Sequence, residues 1–241
     1  MSLLIALAAA LLQSPAGAAP NVTVQSRGGP PSQIQQSKDP LSGELDQALT
    51  FIRTGKSADA IPILDQVIAS EEARNKDEKR LIFSARSLTE AILYAGLGAS
   101  QKKSAVVLDG TWSAAYFAKG FALIDVGRAD EAKAYLDKAI ALAPMNAQFL
   151  AERGEWFKNR KDWAKAYSDF ESASTAAELA PDSAKSFEKR RALRGMAYAR
   201  TEQGRLDEAR TLLEQCLKLD SADDKCQHEI DYVNGLRPKG N

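Results

Sequence analysis

Slid by 34 residues, the segment 113–146 lays its apolar positions onto those of the segment that follows. Gly120 falls on Gly154, Ala132 on Ala166, Ala139 on Ala173, Leu136 on Phe170 and Tyr116 on Leu150. Small residues meet small ones and bulky ones meet bulky ones at a fixed offset, the mark of a structural repeat. Within each unit the apolar residues recur at spacings of three and four, broken once near Gly127 or Lys161. That is a helical period with one interruption, so each unit is expected to be two antiparallel helices joined by a short turn. The small residues let paired backbones approach and the bulky ones fill the space between neighbouring pairs. A lone pair leaves one face bare, so such units stack.

The frame extends in both directions. Unit 41–74 carries Ala48, Phe51, Gly55, Ala60, Leu64 and Val67. Its Pro62 fits a second helix beginning near Asp59, where the missing N–H falls in the first turn. Unit 113–146 closes at Pro144 and unit 147–181 at Pro181. Unit 183–221 carries Leu193, Ala197, Gly204, Ala209, Leu213 and Cys216, with its first helix over about 183–203. Between the first and third units, 76–110 reads as a degenerate pair, a long helix near 77–94 and a short one near 100–108. Residues 222–235 read as a capping helix and 236–241 as a disordered tail. The fold class is therefore all-α, a solenoid of helix pairs.

Tyr116, Gly120 and Leu123, then Ala132, Leu136 and Ala139, then a closing Pro144, resemble the tetratricopeptide repeat. So do Leu150, Gly154, Phe157, Ala166, Phe170 and Ala173, while Lys119 departs from the usual apolar residue. The resemblance covers roughly residues 41–234. It implies a right-handed superhelix of exported bacterial type whose first helices line a concave groove for peptides or partner proteins. Carried over position by position, that groove would present Phe117, Phe121 and Ile124, then Glu155 and Asn159, then Arg191, Arg194 and Tyr198. Phe117 and Phe121 share a helical face and suit either the groove or the core beneath the preceding unit. They also stand where the family's carboxylate clamp needs Lys and Asn, which disfavours a receptor for C-terminal peptide tails. The implied function is a non-catalytic protein–protein interaction module, an adaptor or assembly factor of the cell envelope. The alternative is a self-associating structural repeat protein, a homo-oligomer with no dedicated ligand.

Charge and composition narrow the chemistry. The chain has 241 residues, 32 basic and 32 acidic side chains, and 44% hydrophobic residues. It has enough apolar surface for a core and no net charge to draw it to nucleic acid or an anionic membrane. With His228 as its one histidine, it offers no catalytic triad or histidine metal set, and no phosphate-cradling glycine loop is present. No cofactor and no metal are expected. Paired acids, Glu71 with Glu72 and Asp223 with Asp224, fall at helix ends, where they suit capping and solubility. Over residues 185–200 six basic side chains stand against one acid, Glu188. Such a run could grip a carboxylate or phosphate, or be paired to local acids.

Residues 1–18 carry no charge, and 3–12 (LLIALAAALL) form an apolar run too short to span a membrane. With Pro15 and Ala16-Gly17-Ala18 after it, the run reads as a signal peptide cut after Ala18, placing the protein in the periplasm or outside the cell. An uncleaved membrane tether is the alternative. Residues 19–40, rich in Pro, Gly, Ser and Gln, read as a flexible linker. Cys216 and Cys226 flank an expected turn between two helices, so they form either a disulfide or one buried and one exposed thiol.

Overall fold

The computed structural model describes residues 21–24, 30–35 and 38–236, so the leader expected at 1–18 and the tail after Leu236 lie outside the described residues. The chain divides into two compact units, one ending at Ala143 and the other beginning at Pro144.

The first unit runs β1 (Asn21–Val24), β2 (Ser32–Gln35), α1 (Ser42–Arg53), α2 (Ser57–Asn75), β3 (Leu81–Ala85), α3 (Leu88–Ser100), β4 (Ala105–Asp109), α4 (Thr111–Asp125) and α5 (Ala129–Leu142). Helices α1 and α2 form one pair and α4 and α5 the next, with α2 packed against α4. Between those two touching helices stands a β3–α3–β4 insertion. It builds a four-stranded sheet in the order β1-β2-β4-β3, in which β2, β4 and β3 are parallel and β1 is antiparallel to β2. Helix α3 covers one face of the three parallel strands.

This overturns the helix pair expected over 76–110. The runs Leu81–Ala85 and Ala105–Asp109 are five residues long, and the second has the β-branched Val106 and Val107 at its centre. A central parallel strand is buried on both faces, so it reads as an unbroken apolar run. Ala105, Val106 and Val107 are all buried accordingly. The linker expected over 19–40 is corrected in part, because residues 21–24 and 32–35 within it are strands. Ile34 is buried in the sheet, and the hydroxyl of Ser32 accepts a hydrogen bond from the Ala105 N–H at 3.2 Å.

Within the helix pairs the repeat positions pack as their sizes dictate. Ala132, Leu136 and Ala139 are wholly buried, and a Cβ added at Gly120 would stand 2.9 Å from Leu136 Cδ2. Each pair turns through one residue of positive φ: Gly55 (73°), Gly127 (82°), Lys161 (59°) and Gly204 (72°). Gly204 thus defines a turn and not a close helix contact. Lys119 meets the carboxylate of Asp65, gives a 2.8 Å hydrogen bond to the Tyr135 hydroxyl and lies over that ring. Helix α2 begins at Ser57, two residues before the expected start, so Pro62 stands inside it on the exposed side.

The second unit runs α6 (Ala147–Asn159), α7 (Trp163–Ala176), one 3-10 turn (Ala177–Leu179), α8 (Asp182–Glu202), α9 (Leu206–Leu219) and α10 (Asp224–Leu236). Asn146 caps α6 by accepting from the N–H groups of Gln148 and Phe149 at 3.1 and 3.2 Å. Phe170 of α7 is wholly buried and lies against two glycines, Gly154 of α6 and Gly195 of α8. Helices α6 and α7 are joined by a bidentate pair from Arg153 to Asp169, both bonds 2.7 Å. Helix α10 covers the end of the stack, setting Ile230 and Val233 against Ala197, Ala209 and Leu213. Cys216 of α9 and Cys226 of α10 form a disulfide with Cα atoms 6.3 Å apart.

Candidate partner-binding surfaces

Each unit presents its own surface. In the first, Phe117, Phe121 and Ile124 follow one another at spacings of four and three along α4, which puts them on one stripe. Phe121 is exposed, while Phe117 and Ile124 are half-buried.

In the second unit, α6 and α8 leave between them a cavity of about 210 Å³. Its floor is small, with Ala147 and Ala151 on α6 and Ala184 on α8. Beside it stands Phe187, 60% exposed and the largest apolar side chain at the rim. Arg191 crosses the gap to Glu152 at 2.7 Å. Farther along, Lys158 lies over the exposed Tyr198 ring, whose other neighbour is Trp163 at 6.0 Å between centroids. Glu155 is ion-paired to Lys158, and Asn159 is exposed at the last turn of α6.

The basic end of the groove is corrected. Lys185 and Lys189 pair with Glu178, Arg190 with Asp220 and Asp223, Arg191 with Glu152, and Arg194 with Asp223 and Glu229. The cations of α8 are spent on the unit's own acids. Arg191 ties α8 to Glu152 of α6, and Arg194 ties it to Asp223 and to Glu229 of α10.

Two of the paired acids also differ from expectation. Asp223 does cap α10, accepting the Cys226 N–H at 3.0 Å, but it also takes the two arginines. Glu71 is wholly buried, whereas Glu72 is exposed and accepts the Tyr116 hydroxyl proton. Burial, then that hydrogen bond, push the Tyr116 hydroxyl up to about 12. Phe187 had escaped notice because it lies in the early turns by which α8 exceeds the 34-residue frame. Cys216, Asp223 and Cys226 have metal-like proximity, but the disulfide leaves no thiolate to bind a metal.

Helix pairs of this packing, with positive-φ turns and small residues at the contacts, are matched by a family model. The tetratricopeptide repeat model fits residues 113–146 and again 192–223. Over those residues the chain carries tetratricopeptide repeats. No curated protein sequence matches it. Among solved structures, the array is similar to PilF of Pseudomonas aeruginosa, with a TM-score of 0.54 and 15% identity over 80% of this chain and 67% of that one. It is also similar to MamA from Desulfovibrio magneticus RS-1, residues 41 to the end, with a TM-score of 0.53 and 16% identity over 82% of this chain and 85% of that one. At such identities the likeness is one of fold. Both tetratricopeptide matches fall on helix pairs, and neither touches the β3–α3–β4 insertion.

Proposed function

We propose that this tetratricopeptide repeat protein is a non-catalytic interaction module that seats a segment of a partner protein on the α6–α8 face of its second unit. The observation that carries the reading is Phe187, a large apolar side chain left 60% exposed at the rim of a cavity floored by alanines. An aromatic bordering a small-residue floor offers an anchor and a socket, the arrangement on which binding energy concentrates. Ion pairing of the neighbouring cations supports recognition by shape and apolar contact in preference to charge.

The working place of this module is the cell envelope, as an exported adaptor or assembly factor. The apolar run at 3–12, the small residues Ala16-Gly17-Ala18 and a disulfide suited to an oxidising compartment support export. No helix among the described residues is long and apolar enough to cross a membrane.

Photo-crosslinking in the native cell tests the reading, with the reactive residue placed at Phe187 and, as a control, at the exposed Leu219 of α9. A partner protein captured from Phe187 and not from Leu219 supports the module. Crosslinks only between copies of the chain would replace it with a self-associating scaffold, and equal capture from both positions would sink the groove.

A further inference from the structure

The β3–α3–β4 insertion forms no part of the repeat, and it builds a cleft of its own. Open sheets of parallel strands hold ligands outside the strands' carboxyl ends, where loops and helix starts converge. Two cavities of about 370 and 280 Å³ lie there, sharing Gln35, Leu108 and Asp109 and so standing side by side across the tips of β2 and β4.

The first cavity is polar. Asp109 accepts the Asp39 N–H at 2.6 Å and the Thr111 N–H at 3.0 Å, which fixes the exits of β2 and β4 against each other. Arg74, on the last turn of α2, reaches Asp39 at 2.5 Å and Glu71 at 3.1 Å, both through Nη1. Its other guanidinium edge has no partner among the described residues. Trp112 also lines this cavity; it is nine-tenths buried, and its indole N–H makes no well-formed hydrogen bond among the described residues, although it lies close enough to the Tyr116 hydroxyl to act on it. Tyr116, one turn on, gives its own hydroxyl proton to Glu72. A buried donor without a partner costs stability unless something fills the need. The second cavity has an apolar wall of Ile34, Ala85, Leu88, Ala91 and Leu108, and Arg86 and Ser87 complete its lining beside the shared Gln35 and Asp109.

We propose that this cleft binds a free α-amino acid with an apolar side chain. The ammonium group meets the carboxylates of Asp39 and Asp109. The carboxylate of the ligand takes the open edge of Arg74 and the N–H of Trp112. The side chain enters the apolar cavity. A divalent cation would use the acids and leave the two donors and the apolar wall without purpose. A simple amine would leave the donors unmet.

Calorimetry on the full chain tests the assignment, using L-phenylalanine, L-leucine, phenethylamine, hydrocinnamate and calcium chloride. The expected result is saturable binding of both amino acids, with phenethylamine and hydrocinnamate each weaker by at least about tenfold. Arg74→Met should remove the advantage of phenylalanine over phenethylamine, with an unchanged circular dichroism spectrum and melting midpoint to show that the chain is still folded. Gln35→Trp, at the junction of the two cavities, should abolish binding of every phenyl compound. Equal affinity for the three phenyl compounds would reduce the cleft to an apolar hole. Heat from calcium alone would make it a cation site, and no heat from any compound would remove the site altogether.

Discussion

Replacing Gly195 with alanine adds one methyl group where α8 meets the Phe170 ring of α7. The new carbon falls on the ring of Phe170, 2.5 Å from Cγ and closer still to Cδ1 and Cε1. Carbon atoms in contact prefer about 3.5–4.0 Å, so ring or helix must move by about an ångström. The ring has little room to retreat, because it is wholly buried and Gly154 of α6 lies within reach of it as well. Overpacking of this kind costs about 1–3 kcal/mol. Alanine returns about 1 kcal/mol of helix propensity over glycine. The net expectation is a loss of up to about 2 kcal/mol, read as a lower urea midpoint by circular dichroism. Gly154→Ala is the internal control. Its added methyl would meet the same ring at 3.0–3.1 Å, a strain of tenths of an ångström that the propensity gain roughly offsets. Phe170→Leu combined with Gly195→Ala should cost less than the sum of the two single changes, since a smaller side chain makes room. A Gly195→Ala midpoint above that of the parent would refute the reasoning.

Other expectations follow from single residues. Lys161 holds φ at 59°, a left-handed conformation that costs a side-chain-bearing residue about 1 kcal/mol or more, so Lys161→Gly should raise stability by about 0.5–1 kcal/mol, read as a higher urea midpoint. Burial, then a hydrogen bond shared with Asp39, lift the Glu71 carboxyl from 4.5 to about 7. A raised folded-state value means that its contribution is whole below about 4.5 and is lost as the pH climbs through 7. Glu71→Gln should therefore match the parent in thermal melts at pH 4.5 and surpass it at pH 8; a gap that does not change with pH would contradict this. Against the opposing effect of burial, hydrogen bonds from Glu71, then from the Leu41 N–H and Arg74, hold Asp39 below its ordinary value, so its own titration lies at more acid pH. Serine at both Cys216 and Cys226 should lower stability by about 2–3 kcal/mol, the loop-closure value for a ten-residue separation. Reductant should then destabilise the parent but not the variant.

The repeat was legible because its information is local. Gly120 and Leu136, or Gly154 and Phe170, stand sixteen residues apart in one helix pair, and their sizes already say which backbones must touch. The insertion was not, because five-residue apolar runs such as LIFSA and AVVLD are too short for periodicity to separate helix from strand. Val106 and Val107 carried the one usable hint. Non-local pairing hid the rest. The arginines of α8 looked free because Asp223, their acid, lies 33 and 29 residues from Arg190 and Arg194. The Asp39–Asp109 contact spans 70 residues, with nothing near either residue to announce the other.

That same span sets apart the two units' response to trimming. A tandem array tolerates loss of its end modules, since each touches only its neighbours. In the first unit the second strand of the sheet is contributed by residues 32–35, far upstream of its partner β4. A recombinant product starting at the first helix would lay bare the backbone hydrogen-bonding edge of β4, a template for intermolecular strand addition and precipitation. What reads as a dispensable leader up to residue 40 includes, from residue 32, a piece of the first unit's interior.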